Sequence, residues 1–90
     1  MNAFKTPVSC SVYRSPRRDF TYLYVPADTD FDDLPKALLD AFGTPEFVLS
    51  VELTAERELA QEDARTVLQN IAAQGYHLQM PPGEDQGDLL

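Results

Sequence analysis

Two runs of β-forming residues, Val8–Arg14 and Phe20–Val25, flank the polar segment Ser15-Pro16-Arg17-Arg18-Asp19. No other stretch limits the possible folds so tightly. β-Branched and aromatic side chains suit a pleated, half-buried surface, and a Pro-containing polar run between two such stretches is turn chemistry. The pattern predicts a β-hairpin with a loop at 16–19, Pro16 taking the second position of a type I turn. That loop sets Ser15 opposite Phe20, Val12 opposite Leu23 and Cys10 opposite Val25. One face then carries Cys10, Val12, Leu23 and Val25. The other carries Ser9, Ser11, Tyr13, Phe20, Tyr22 and Tyr24, small side chains on one arm facing rings on the other.

Downstream, Asp28-Thr-Asp-Phe-Asp-Asp33 leads into Leu34–Phe42, and Gly43 and Pro45 follow. Acidic residues and a proline at the start, with glycine past the end, bracket a short helix. Phe31, Leu34, Leu38 and Phe42 form its apolar stripe. Glu46–Leu53 alternates and reads as a third strand, with Phe47, Leu49, Val51 and Leu53 on one face. Glu56–Ala60 is a polar connector with no assigned element. A second helix is predicted over 62–74, with Ala64, Val67, Leu68 and Ile71 inward and Gly75 closing it. Tyr76–Met80 is a fourth strand, ended by Pro81-Pro82 because proline cannot join a ladder internally. The expected fold is α+β in the order ββαβαβ: a four-stranded, mainly antiparallel sheet with two helices packed on one face.

Ninety residues support one domain with a single modest core, and no deep substrate cavity. Residues 1–82 are read as that domain, and 83–90 as an acidic, disordered tail. The net charge of −8 opposes broad nucleic-acid binding, yet Lys5, Arg14, Arg17 and Arg18 all fall in the first 18 positions. Cys10 is the only cysteine, so an intrachain disulfide and a cysteine metal cluster are both excluded. The opening residues lack an apolar run of signal-peptide length, and nothing approaches a membrane span. A reducing, cytoplasmic setting is expected, with no membrane, metal or cofactor.

Each candidate residue has a plain structural explanation as well as a functional one. Arg17 and Arg18, with Arg14 close by, could form an anion-binding tip; otherwise they are solvated turn charges with Asp19 as a local partner. Tyr13, Phe20, Tyr22 and Tyr24 could stack unpaired bases, but cross-strand rings also stabilise sheets, and the glycine-and-aromatic signature of the RNA-recognition strand is missing. Asp28, Asp30 and Asp32 imitate the start of a calcium loop. The glycine and bidentate acid positions fall on Asp33 and Leu39, so helix capping is the better account. His77 is expected to point to solvent, opposite Tyr76, Leu78 and Met80. Cys10 is expected to pack as a small apolar residue. A Cys10–His77 nucleophilic pair has no motif behind it.

The run Cys10-Ser-Val-Tyr-Arg-Ser15, the basic pair, and Thr21-Tyr-Leu-Tyr-Val25 resemble the opening of the bacterial YcgL domain family. Phe42-Gly43-x-Pro45 and Gly75-Tyr-His-Leu-Gln-Met-Pro-Pro82 resemble its middle and closing motifs. The resemblance spans about residues 10–82. It implies a small cytoplasmic α/β domain and supplies no catalytic residues to carry over. It also directs attention to the hairpin and to Gly75–Pro82, which would share one surface if the first and last strands were neighbours. The candidate interaction surface is therefore Tyr13, Arg14, Arg17, Arg18, Phe20, Tyr22, Tyr24, His77 and Gln79. A protein partner is the leading expectation, an RNA or nucleotide adaptor the second, and an enzyme the third.

Overall fold

A computed structural model describes residues 7–54, 56 and 63–81. The hairpin is formed by β1 (Val8–Arg14) and β2 (Tyr22–Pro26). A 3-10 turn at Phe31–Asp33 and helix α1 (Lys36–Phe42) lead to β3 (Glu46–Leu53). Helix α2 (Ala64–Gln74) and the short β4 (His77–Gln79) complete the fold. The order is ββαβαβ, and every strand pairing is antiparallel in a sheet of order β3-β1-β2-β4. The expected α+β class, element order and sheet are all present. Residues 57–60 of the expected connector, the expected helix start at Glu62, and the tail at 83–90 lie outside the described residues.

Local chemistry accounts for the element ends. Asp63 caps α2, its carboxylate accepting from the Arg65 N–H at 3.1 Å. Gly75 ends that helix at φ 90°, ψ 0°, a left-handed conformation that glycine adopts without steric cost. Asp30 takes the N–H of Asp32 at 2.9 Å, so this carboxylate caps the 3-10 turn; α1 begins after Pro35 with no side-chain cap, which corrects the expectation that the acidic run caps that helix.

The hairpin register differs from the expected one by a single residue. Val12 lies opposite Tyr24, and Cys10 opposite Pro26. The loop closes later than position 19: the Ser15 N–H donates to the Thr21 carbonyl at 3.0 Å, so the turn holds one residue more. Phe20 is that residue, at φ 58°. Because side chains alternate across a strand, a one-residue slip exchanges the faces of a whole arm. The rings therefore do not share a face: Tyr22 and Tyr24 join one side of the sheet and Tyr13 the other.

The helices are divided in the same way, which corrects the expectation of a single covered face. On one side Cys10, Val12, Tyr24 and Leu53 meet Val67 and Leu68 of α2. On the other, Leu23 and Val25 meet Leu34, Leu38 and Phe42 of the α1 region. The result is a three-layer sandwich. The physical reason lies in β2, where Tyr22-Leu23-Tyr24-Val25 is a continuous apolar run, so both of its faces require cover. The strand Glu46–Leu53 has the expected bounds but not one expected face. A bulge between the pairs Val12–Leu49 and Tyr13–Phe47 turns Phe47 toward the α1 side, while Leu49, Val51 and Leu53 stay on the α2 side.

Val12 is 6% exposed beneath α2, so Val12→Asp would bury a charge without a partner. A loss of about 4 kcal/mol or more is expected, a large share of a small domain's stability. Urea denaturation checks it, and a midpoint like that of the wild type would contradict the register.

Candidate interaction surface at the hairpin tip

Ser15 organises the tip. Its Oγ accepts from the N–H groups of Arg17 and Arg18, each at 3.0 Å, and donates to the Phe42 carbonyl at 2.5 Å. One hydroxyl thus folds the loop over itself and fastens it to the last turn of α1, where carbonyls lack intrahelical partners. Thr21 adds a bond from its hydroxyl to the Asp19 carbonyl at 3.2 Å.

Arg17 lies across Gly43. Gly43 has φ 86°, and a Cβ there would stand 2.9 Å from Arg17 Cγ. Glycine is therefore needed twice, for its backbone angle and for the arginine stem above it. The stem thus packs over the C-terminal end of α1, although the residue remains exposed to solvent. Arg14 Nε donates to Glu46 Oε1 at 2.9 Å in a solvent-exposed pair, an arrangement that contributes little to stability. Arg18 is half-buried, with its N–H committed to Ser15.

Phe20 is the outlier. It is 71% exposed and holds a left-handed backbone angle that disfavours any residue with a side chain. It borders a shallow concavity of about 410 Å3 that Arg14, Pro16, Tyr22 and Glu46 also line. A second shallow concavity, of about 580 Å3, lies on the other side of the loop between Arg17, Phe31, Asp40 and Pro45. Tyr13 connects the tip to β3, its ring packing edge-on against Phe31 at 4.9 Å and Phe47 at 5.7 Å.

Tyr24, His77 and Gln79 are elsewhere and buried. His77 is 6% exposed, not solvent-facing as its strand parity suggested, because α2 covers that side of β4. Its Nδ1 lies 2.9 Å from Asn70 Nδ2 of α2, and the Tyr24 hydroxyl donates to Gln79 Oε1 at 3.0 Å. These polar groups tie β2, β4 and α2 together, the usual state of buried polar side chains. Nor is β4 a neighbour of β1; it pairs with β2, setting Gln79 opposite Tyr22. Of the nine candidates, six remain about the tip: Tyr13, Arg14, Arg17, Arg18, Phe20 and Tyr22.

Cys10 is fully buried, and burial, reinforced by the nearby Glu52 carboxylate, pushes its thiol up to about 11. Among the described residues no three His, Cys, Asp or Glu side chains group as metal ligands, and no helix is long and apolar enough to cross a membrane.

The motifs that resembled a known family have now acquired physical roles. The description "YcgL domain" matches residues 10–82. The chain belongs to the YcgL domain family. It is 54% identical over 77 residues to a YcgL domain-containing protein of Stutzerimonas stutzeri, covering 86% of this chain and 79% of that one. Relatives with the same coverage occur in Pseudomonas aeruginosa, at 53% identity, and Pseudomonas putida, at 51%. In this YcgL domain Phe42-Gly43 receives the hairpin tip, and Gly75–Gln79 caps α2 and supplies the buried polar groups.

Sequence reasoning passed over Ser15 and Gly43 as parts of one device, since 27 residues separate Ser15 from Phe42. It also passed over the exposed apolar run Phe47-Val48-Leu49, of which alternation had placed Phe47 and Leu49 on one face with Val51 and Leu53.

Two outcomes are expected. Gly43→Ala should cost about 2 kcal/mol, and Gly75→Ala about 1 kcal/mol, because nothing lies within 4 Å of a Cβ at Gly75 and only backbone strain is added. Paired denaturation curves check the order. For Cys10 the folded thiol titrates above the unfolded one, so the unfolded chain loses its proton first as pH rises. Stability should be intact below about pH 9 and fall toward pH 11. Melting temperatures across that window, with Cys10→Ala as a flatter reference, measure it.

Proposed function

We propose that this YcgL domain is a non-catalytic protein-interaction or regulatory module that engages its partner through the hairpin tip. The observation that carries this reading is Phe20, an exposed ring held in a strained backbone conformation at the rim of a concavity that Arg14 also lines. Strain of this kind persists where the surroundings enforce it, and it concentrates at sites of function. Aromatic and arginine side chains are also the types enriched at the centres of interfaces. The clamp of Ser15 on Phe42 reduces the ordering cost of binding, because the loop is already shaped.

Two further observations support a protein partner over the alternatives. The tyrosines do not form one open stacking face: Tyr24 is buried and Tyr13 and Tyr22 are half-buried, which weakens an RNA or nucleotide adaptor. The concavities beside the tip are shallow, and His77 and Cys10 lie buried in the sandwich rather than in a cleft, which weakens an enzyme. A reducing, cytoplasmic setting goes with this reading, consistent with a lone buried thiol.

Affinity capture from lysate, with and without nuclease, tests it against the Arg17→Glu/Arg18→Glu double variant. Partners that survive nuclease and are lost with the variant are expected; an unchanged partner set overturns the reading, and loss on nuclease treatment gives it to RNA. Phe20→Gly supplies a second check. Glycine accepts the left-handed angle, so this variant should gain about 0.5–1 kcal/mol in stability while losing the partner. A variant both more stable and fully competent would remove Phe20 from the surface.

A further inference from the structure

The sheet has two outer strands, and they differ. β4 is three residues long, and its His77 and Gln79 are buried beneath α2. β3 is eight residues long, and Glu46 to Ser50 are exposed in succession, with Phe47 at 60%, Val48 at 42% and Leu49 at 47%. Among the described residues its only strand neighbour is β1. An outer strand presents every second N–H and C=O outward, and soluble proteins ordinarily blunt such an edge. Here the bulge at Val48 bends one end, but the register from Leu49 to Leu53 is uninterrupted. That leaves about 17 Å of regular free edge, enough for a strand of typical length.

We propose that the free edge of β3 over Leu49–Leu53 accepts an extended segment of another protein, carrying alternate apolar residues with lysine or arginine among them. Backbone pairing selects a polypeptide, because only a peptide strand matches the spacing of the edge groups. The charge of the strand selects a basic one. Glu52 on β3 and Glu56 beyond it are both exposed. The Glu52 carboxylate accepts from the Ser9 hydroxyl at 2.6 Å, and a neutral partner leaves its charge in place. Exposed Leu49 and half-buried Val51 provide the apolar contact on the α2 side of the edge. A second copy of the chain is the poorer occupant, since each copy carries a net charge of −8 and would bring its own Glu52 to the same edge. This surface is separate from the tip and goes beyond the function proposed above.

The probe is the capped peptide Lys-Val-Thr-Val-Thr-Val-Lys-Lys, compared with the same peptide carrying Glu at each Lys. Backbone hydrogen exchange of the full chain is followed by NMR at millimolar peptide. Alternate amides of Leu49–Leu53 should slow about tenfold with the basic peptide and little with the acidic one. Glu52→Lys, at an exposed position, should reverse that preference, and the Arg17→Glu/Arg18→Glu variant should bind the basic peptide as the wild type does. Unchanged exchange at β3, equal protection by both peptides, or protection that follows protein concentration without peptide would each overturn the proposal.

Discussion

Everything in this domain depends on the two-sided burial of the β1–β2 hairpin. Its strands are the inner pair of the sheet, and each presents apolar side chains to both sides: Cys10, Val12 and Tyr24 toward α2, Tyr13, Leu23 and Val25 toward α1. A hairpin alone is marginal in water, so these faces must be covered by other elements. One helix can cover only one of them. The division of α1 and α2 between the two sides is thus a consequence of hairpin composition, and the outer placement of β3 and β4 follows from their pairing with a pair that occupies the middle.

The same constraint shapes the surface. With both faces of the inner strands committed to packing, the exposed parts of the sheet lie at its periphery, among them the turn at one end of the hairpin and the outer strand β3. The turn is fastened to the end of α1, because Ser15 joins it to the Phe42 carbonyl and Arg17 lies over Gly43. The edge is exposed because α2 covers the β3 residues Leu53 and, in part, Val51, but not Leu49. Buried polar groups at Tyr24, His77 and Gln79, with half-buried Asn70, tie the interior together, so the His77 and Gln79 of the closing motif have a packing role.

Charge is distributed differently at the two peripheral places. Among the described residues at the tip, Arg14, Arg17 and Arg18 stand beside Asp19, Asp40 and Glu46 within a chain of net charge −8. Along the far part of β3, Glu52 and Glu56 accentuate the acidic field.

Local signals in the sequence determined the elements. Gly75 closes α2, Gly43 ends α1, and alternation gave β3 its bounds at Glu46 and Leu53. The α+β class, the element order and the place of the basic tip were therefore legible, as was the burial of Cys10. The register and the faces were not. They turn on whether the loop closes at Asp19 or beyond Phe20, and that depends on Ser15 binding Phe42 far along the chain. A left-handed phenylalanine costs energy locally, so no local rule would place one there; packing on both sides of the sheet outweighs that cost. His77 and Gln79 were legible as residues of a strand, yet only the position of α2 decided that they are interior. Local propensity fixes φ, ψ and element ends within a few residues, whereas register, layer and exposure are set by contacts between residues far apart in the chain.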